Sequence, residues 1–133
     1  MHIVNFYRTI GRSIDEFFPM RKGELIASPY EEIILLANIK MRRIGLKHIV
    51  ESRKEDGYSS EEIKNMLPRI PEVLGHPEVD VVNKNKRYPD SRIAGKAYVV
   101  EKRALLVLYQ KQGQIKTIYN LYFRDIKRFQ KMK

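Results

Sequence analysis

The chain has 133 residues, no cysteine and a formal net charge of +10, a size that suits one domain with its own core. Without cysteine there is neither a disulfide framework nor thiolate chemistry, and with His2, His48 and His76 its only histidines no zinc site or other cofactor is expected. Apolar residues make up 43% and charged residues 32%, a soluble globular balance; no apolar run approaches the roughly 20 residues of a membrane span or the core of a signal peptide, so the chain reads as cytoplasmic with no membrane partner.

In chain order, Ile14, Phe17 and Phe18 form one helical stripe after Ser13, which predicts a short helix ending near Pro19. Ser28-Pro29-Tyr30-Glu31 has the spacing of a capping box with proline at the first helical position, and predicts a helix start. Ile33 to Ile39 is densely apolar and rich in isoleucine, which fits a strand as well, so residues 31–40 stay open between helix and strand. Gly45 is expected to break or bend that element. After it, Leu46, Ile49 and Val50 share one helical face, while His48, Glu51 and Arg53 lie toward another. Asp56-Gly57 closes this helix, and Ser59 to Glu62 repeats the capping-box spacing. Ile63, Met66 and Leu67 supply the buried stripe of the next helix, which Pro68 and Pro71 limit. Ile70 to Leu74 is then a separate short turn or helix, and Gly75-His76-Pro77 a connector.

From Val79 the period becomes extended. Val79–Asn83, Ile93–Glu101, Ala104–Gln110 and Gln114–Tyr122 read as four strands, joined by the basic loop Asn83–Arg92, by Lys102-Arg103 and by Lys111-Gln112-Gly113. The last two links are short and favour an antiparallel meander. Ala104 to Leu108 is apolar on both parities, which suits a central strand covered on both faces or bordering a hydrophobic groove. Phe123, Ile126 and Phe129 form a helical stripe in a final helix or tail, 123–133, with Arg124, Lys127, Arg128, Lys131 and Lys133 outside it. The expectation is one α+β domain over 1–133, its N-terminal helices (about 1–76) packed on a C-terminal four-stranded antiparallel sheet (about 79–122).

The charge is unevenly spread. Residues 1–66 hold 11 Lys/Arg and 10 Asp/Glu, net +1, whereas residues 67–133 hold 15 and 6, net +9. A polyanion, most simply RNA or DNA, is the natural partner of such a half, and a solvated basic surface is the plain alternative. Cleaving RNA without a metal needs a base for the 2′-hydroxyl, an acid for the leaving 5′-oxygen and cations for the phosphorane. His48, Arg53, Lys84, Lys86, Arg87 and Lys96 are residues of those types, because imidazole exchanges protons near neutrality and guanidinium matches phosphate oxygens. Arg92 and Arg124 extend the same set of cations. Lys96 and Tyr98 share one strand face, as do Thr117 and Tyr119. Aromatic rings among cations suit single-stranded RNA, whose bases stack while its phosphates pair. Ordinary strand composition explains the same tyrosines.

The order of these features carries a resemblance. Leu46-Lys47-His48-Ile49 and Ser52-Arg53 come first, then Ile70-Pro71-Glu72-Val73-Leu74, a basic stretch, and strands ending Ile115-Lys116-Thr117-Ile118-Tyr119. Over roughly residues 42–122 this resembles the phage-associated nucleases grouped with barnase, EndoU, colicin-type tRNases and RelE, the BECR group. The resemblance implies a metal-independent endoribonuclease acting on RNA, tRNA included, with its active site on an exposed sheet face. It makes His48 the acid or base, Arg53 a phosphate ligand, Lys96 a transition-state cation and Thr117 a polar contact from the last strand. Relatives carry Arg-His where Arg53-Lys54 stands here, so the second imidazole has no counterpart. A toxin or mobile-element nuclease would also have an acidic neutralising protein as partner. The competing readings are a non-catalytic nucleic-acid-binding protein and a structural protein of a virus or mobile element.

Overall fold

The computed structural model describes residues 3–133, with side chains from Ile10 onward; His2 lies outside the described residues. Helix α1 (Ile3–Phe17) begins well before Ser13, which sits inside it rather than at its cap. Ile10, Ile14 and Phe17, spaced by four and three, are its buried side.

The ambiguous stretch resolves as a hairpin of β1 (Glu32–Leu36) and β2 (Ile39–Arg42), not as a helix. Ser28 adopts φ 49, far from the extended backbone of an N-cap. The Glu31 amide closes a turn on the Ser28 carbonyl instead, at 3.1 Å. The carbonyls of Glu31 and Pro29 then accept from the amides of Arg43 and Ile44 at 2.9 and 2.8 Å. The segment expected to start a helix therefore caps the following one, α2 (Arg43–Glu55). Gly45 does not break that helix but lies in its first turn.

Ser59 caps α3 (Ser60–Met66) with the full capping box, and a 3₁₀ turn at Leu67–Arg69 leads into α4 (Ile70–Gly75). Both fall where the prolines place them. The remaining elements are β3 (Val79–Val82), β4 (Ser91–Tyr98), β5 (Arg103–Gln112), β6 (Ile115–Asp125) and α5 (Ile126–Gln130).

The fold is α+β, and the four expected strands run antiparallel as β3 to β6. The sheet, however, is six-stranded and mixed, in the order β1-β2-β6-β5-β4-β3. The hairpin adds to the meander through β2, parallel to β6 because the chain between them crosses over. That pairing covers Ile39 with Lys116 and Lys40 with Thr117. Beyond Thr117 the flank of β6 faces α2, where Arg53 Nη1 donates to the Leu121 carbonyl at 2.6 Å.

Both faces of the sheet are covered, as the two apolar parities of β5 require. Leu105 and Val107 join Ile118, Leu121 and the helices α1 to α4 in the larger core. Ala104 and Leu106 meet Val79 and Phe129 of α5 on the other face. The expected stripe of Phe123 with Ile126 and Phe129 does not form. β6 continues to Asp125, whose side chain caps α5 by accepting from the Arg128 amide at 2.9 Å. Phe123 thus points to the helical layer, with its ring 6.1 Å from that of Tyr58, while Phe129 seats on the opposite face.

Gly95 makes that seat possible. A Cβ there would stand 2.6 Å from both Leu106 Cδ2 and Phe129 Cε1, and both side chains are fully buried. Gly95→Ala is expected to destabilise the fold by about 1–3 kcal/mol through overpacking, read as a lower denaturant midpoint at unchanged slope. An unchanged midpoint would mean that α5 does not pack there.

Candidate functional site

A cleft of about 450 Å³ opens where β2 parts from β6. One wall is α2, through Gly45 and the residues Ile44, His48 and Ser52, whose spacing of four sets them on one side of the helix. Thr117 to Asn120 of β6 form the floor, and Arg87 with Tyr88 of the β3–β4 loop form the opposite wall. Arg42, at the junction of β2 and α2, completes it.

The floor is shaped by a bulge. Leu108 pairs with Asn120 but Tyr109 pairs with Ile118, so Tyr119 is the extra residue and its side chain is re-aimed. Its hydroxyl donates to Gln110 Oε1 at 2.6 Å. The β3–β4 loop is braced by its own asparagines. The Asn85 amide donates to Asn83 Oδ1 and the Arg87 amide to Asn85 Oδ1, at 3.1 and 3.0 Å. Buried Ser91 donates to the Tyr88 carbonyl at 2.7 Å. These bonds hold the Tyr88 ring 6.3 Å from that of Tyr119, tilted by 37°.

The His48 side chain is 65% exposed, and its Nδ1 lies 3.2 Å from Glu51 Oε1. Glu51 itself is buried; its Oε2 accepts from Lys47 Nζ at 2.9 Å and from the Gly23 amide at 2.6 Å. Lys47 is buried too and also donates to the Arg21 carbonyl, at 3.3 Å. Burial pushes the Glu51 carboxyl up, but the Lys47 ammonium, the Gly23 amide and the nearby imidazole together hold it below the usual carboxylate range. An ionised carboxylate only accepts. The His48 Nδ1 must therefore be the donor, so that in the neutral ring the lone pair sits on Nε2.

The rest of the cleft favours anions. The first turn of α2 carries no acidic residue and no side-chain cap; the Glu31 and Pro29 carbonyls take its first two amides, and the positive end of its dipole borders the cleft at Ile44 and Gly45. Arg42 and Arg87 form no ion pair among the described residues.

Of the residues expected to act on RNA, the structure brings His48, Arg87, Thr117 and Tyr119 together in this cleft. Arg53 is kept out of it. Its guanidinium is buried, tied to the Leu121 carbonyl and to Asp56 at 3.2 Å, with the Tyr122 ring 5.6 Å away. Burial, not the lack of a donor, keeps a phosphate from it, since its Nε has no partner. Lys96 and Tyr98 lie on the helical side of the sheet, against α4. Lys96 reaches the His76 carbonyl at 3.4 Å and Glu72 at 3.9 Å, and the Tyr98 hydroxyl donates to Glu72 at 3.3 Å. Burial, then the Glu72 carboxylate, push the Tyr98 hydroxyl up to about 12. Arg92 pairs with Asp80 at 2.9 Å. Lys84 and Lys86 project from the exposed loop beside the cleft, and Arg124 lies over Tyr122 at 5.8 Å on the face that carries α5.

Arg42, Ser52, Tyr88, Asn120 and the Lys47–Glu51 pair went unread as functional residues. Ser52 follows His48 by four and Glu51 follows Lys47 by four, spacings that put each pair on one helical side. Tyr88 and Asn120 had no such signal, because a loop fold and a bulge bring them in. No protein-family model, curated protein or solved structure matches the chain.

Proposed function

We propose that the chain is a small metal-independent endoribonuclease that cleaves RNA by attack of a 2′-hydroxyl on the adjacent phosphorus. One observation carries the reading: an imidazole held by an ionised Glu51 stands in a cleft whose charged groups are Arg42 and Arg87. In this reaction His48 Nε2 takes the 2′-hydroxyl proton and the 2′-oxygen bonds to phosphorus. The bond to the 5′-oxygen breaks, leaving a 2′,3′-cyclic phosphate and a 5′-hydroxyl. Arg42, Arg87 and the start of α2 offset the charge that grows on the phosphorane oxygens. Thr117 contacts the substrate from the floor. The 5′-oxygen takes its proton from water, because the Tyr119 hydroxyl proton is already given to Gln110 and His48 is the cleft's one imidazole among the described residues.

Arg42 and Arg87 thereby fill the roles first assigned to Arg53 and Lys96. A BECR-type nuclease of a toxin or mobile element, restrained in the cytoplasm by an acidic protein, is the setting this reading implies. A non-catalytic RNA-binding protein is the second reading, favoured by that single imidazole. Total RNA incubated with the protein in EDTA separates them. Fragments ending in 2′,3′-cyclic phosphate support the nuclease, and retention of intact RNA leaves the binder.

A further inference from the structure

The cleft is one end of a longer feature. On the face opposite the helices, the side chains of β6 run from Thr117 and Asn120 to Tyr122 and Arg124, as their pairing with Gln110, Leu108, Leu106 and Ala104 fixes. Asn120 turns a donor outward: its Oδ1 is occupied by the Leu121 amide at 2.8 Å, so its amide nitrogen remains for a ligand. The Tyr122 ring lies 5.6 Å from the Arg53 guanidinium and 5.8 Å from that of Arg124; it packs against the smaller core beside α5 and stays half-buried. The strand then enters α5, where exposed Lys127 and Lys131 form no ion pair among the described residues. The four residue steps of strand from Asn120 to Arg124 span about 13 Å. One ring for a base, Tyr122, thus lies between the polar floor of the cleft and the cations Arg124, Lys127 and Lys131, a surface of the kind that holds a single strand without reading its sequence.

We propose that bound RNA leaves the cleft along this outward face of β6 and ends on the cations of α5, so that the substrate is a single strand several nucleotides long. The inference rests on the cleft taking a phosphodiester, but not on its cleaving one. A duplex does not fit, because its bases are paired and cannot lie on Tyr122.

The test is the salt dependence of binding to a 2′-O-methyl single strand of about eight nucleotides, within the roughly 4–16 of known single-strand sites. Lys127→Gln with Lys131→Gln is compared with wild type and with Lys22→Gln plus Lys64→Gln, a charge-matched control on the helical layer. Loss of two phosphate contacts should lower the log–log salt slope by about 1.4, at about 0.7 per contact. Binding of a dinucleotide should not change, and the control should keep the wild-type slope on both ligands. A track variant indistinguishable from the control overturns the path, as does equal affinity for a duplex of the same sequence. Cleavage without the slope change removes the path alone. The slope change in a protein that cleaves no RNA removes the nuclease and leaves the path standing.

Discussion

Glu51→Ala is expected to destabilise the protein by about 3–5 kcal/mol, because it strands the buried Lys47 ammonium without its counter-charge. Against a total of about 5–15 kcal/mol, that is enough to move the denaturation midpoint well clear of error. A double variant, Lys47→Met with Glu51→Leu, should recover most of the loss, since an apolar pair of similar volume removes both charges from the interior. If Glu51→Ala were as stable as wild type, the pair would not be the tie between α2 and the Arg21–Gly23 segment that the geometry makes it. The pH dependence follows from the lowered Glu51 carboxyl. Its stabilisation is full above the unfolded carboxyl value, about 4, and is lost as pH falls through the lower folded value. Acid titration of the wild type should therefore show a stability loss that the apolar double variant lacks.

The second large effect concerns rate rather than stability. His48→Ala should reduce RNA cleavage about a hundred- to ten-thousandfold, the range for removing a general base, while RNA affinity stays near wild type. The fold should barely notice, because the ring is 65% exposed and makes one hydrogen bond, to Glu51; surface changes of this kind stay within about 0.5 kcal/mol. The apolar Lys47/Glu51 double variant would be folded and yet slow, its imidazole present but unmoored. Cleavage at the wild-type rate by His48→Ala would sink the mechanism.

The helices α3 and α4 and the four later strands could be read from residues because their signals were local. A capping box at Ser59, prolines at 68 and 71 and alternating apolar strands each act within a few positions. The β1–β2 hairpin could not, since Ser28 to Glu31 has a helix-start spacing and only the tertiary partners of their carbonyls, Arg43 and Ile44, decide otherwise. The site divided in the same way. The order of residue types singled out His48, Thr117 and Tyr119, which the fold gathers in one cleft, and also Arg53, because sequence cannot show that Leu121 and Asp56 already hold it. Lys96 lies away from the cleft for a related reason: strand parity gives the face of a sheet, not which face is covered by helices.

The seat of Phe129 over Gly95 has a consequence for how the protein could be handled. The last turn of chain works as a stopper on an oily strip formed by Ala104, Leu106 and Val79. A protease cut just after Asp125, or a bulky fusion that pries the stopper loose, would bare that strip and turn the protein into a sticky, clumping species even with the cleft untouched.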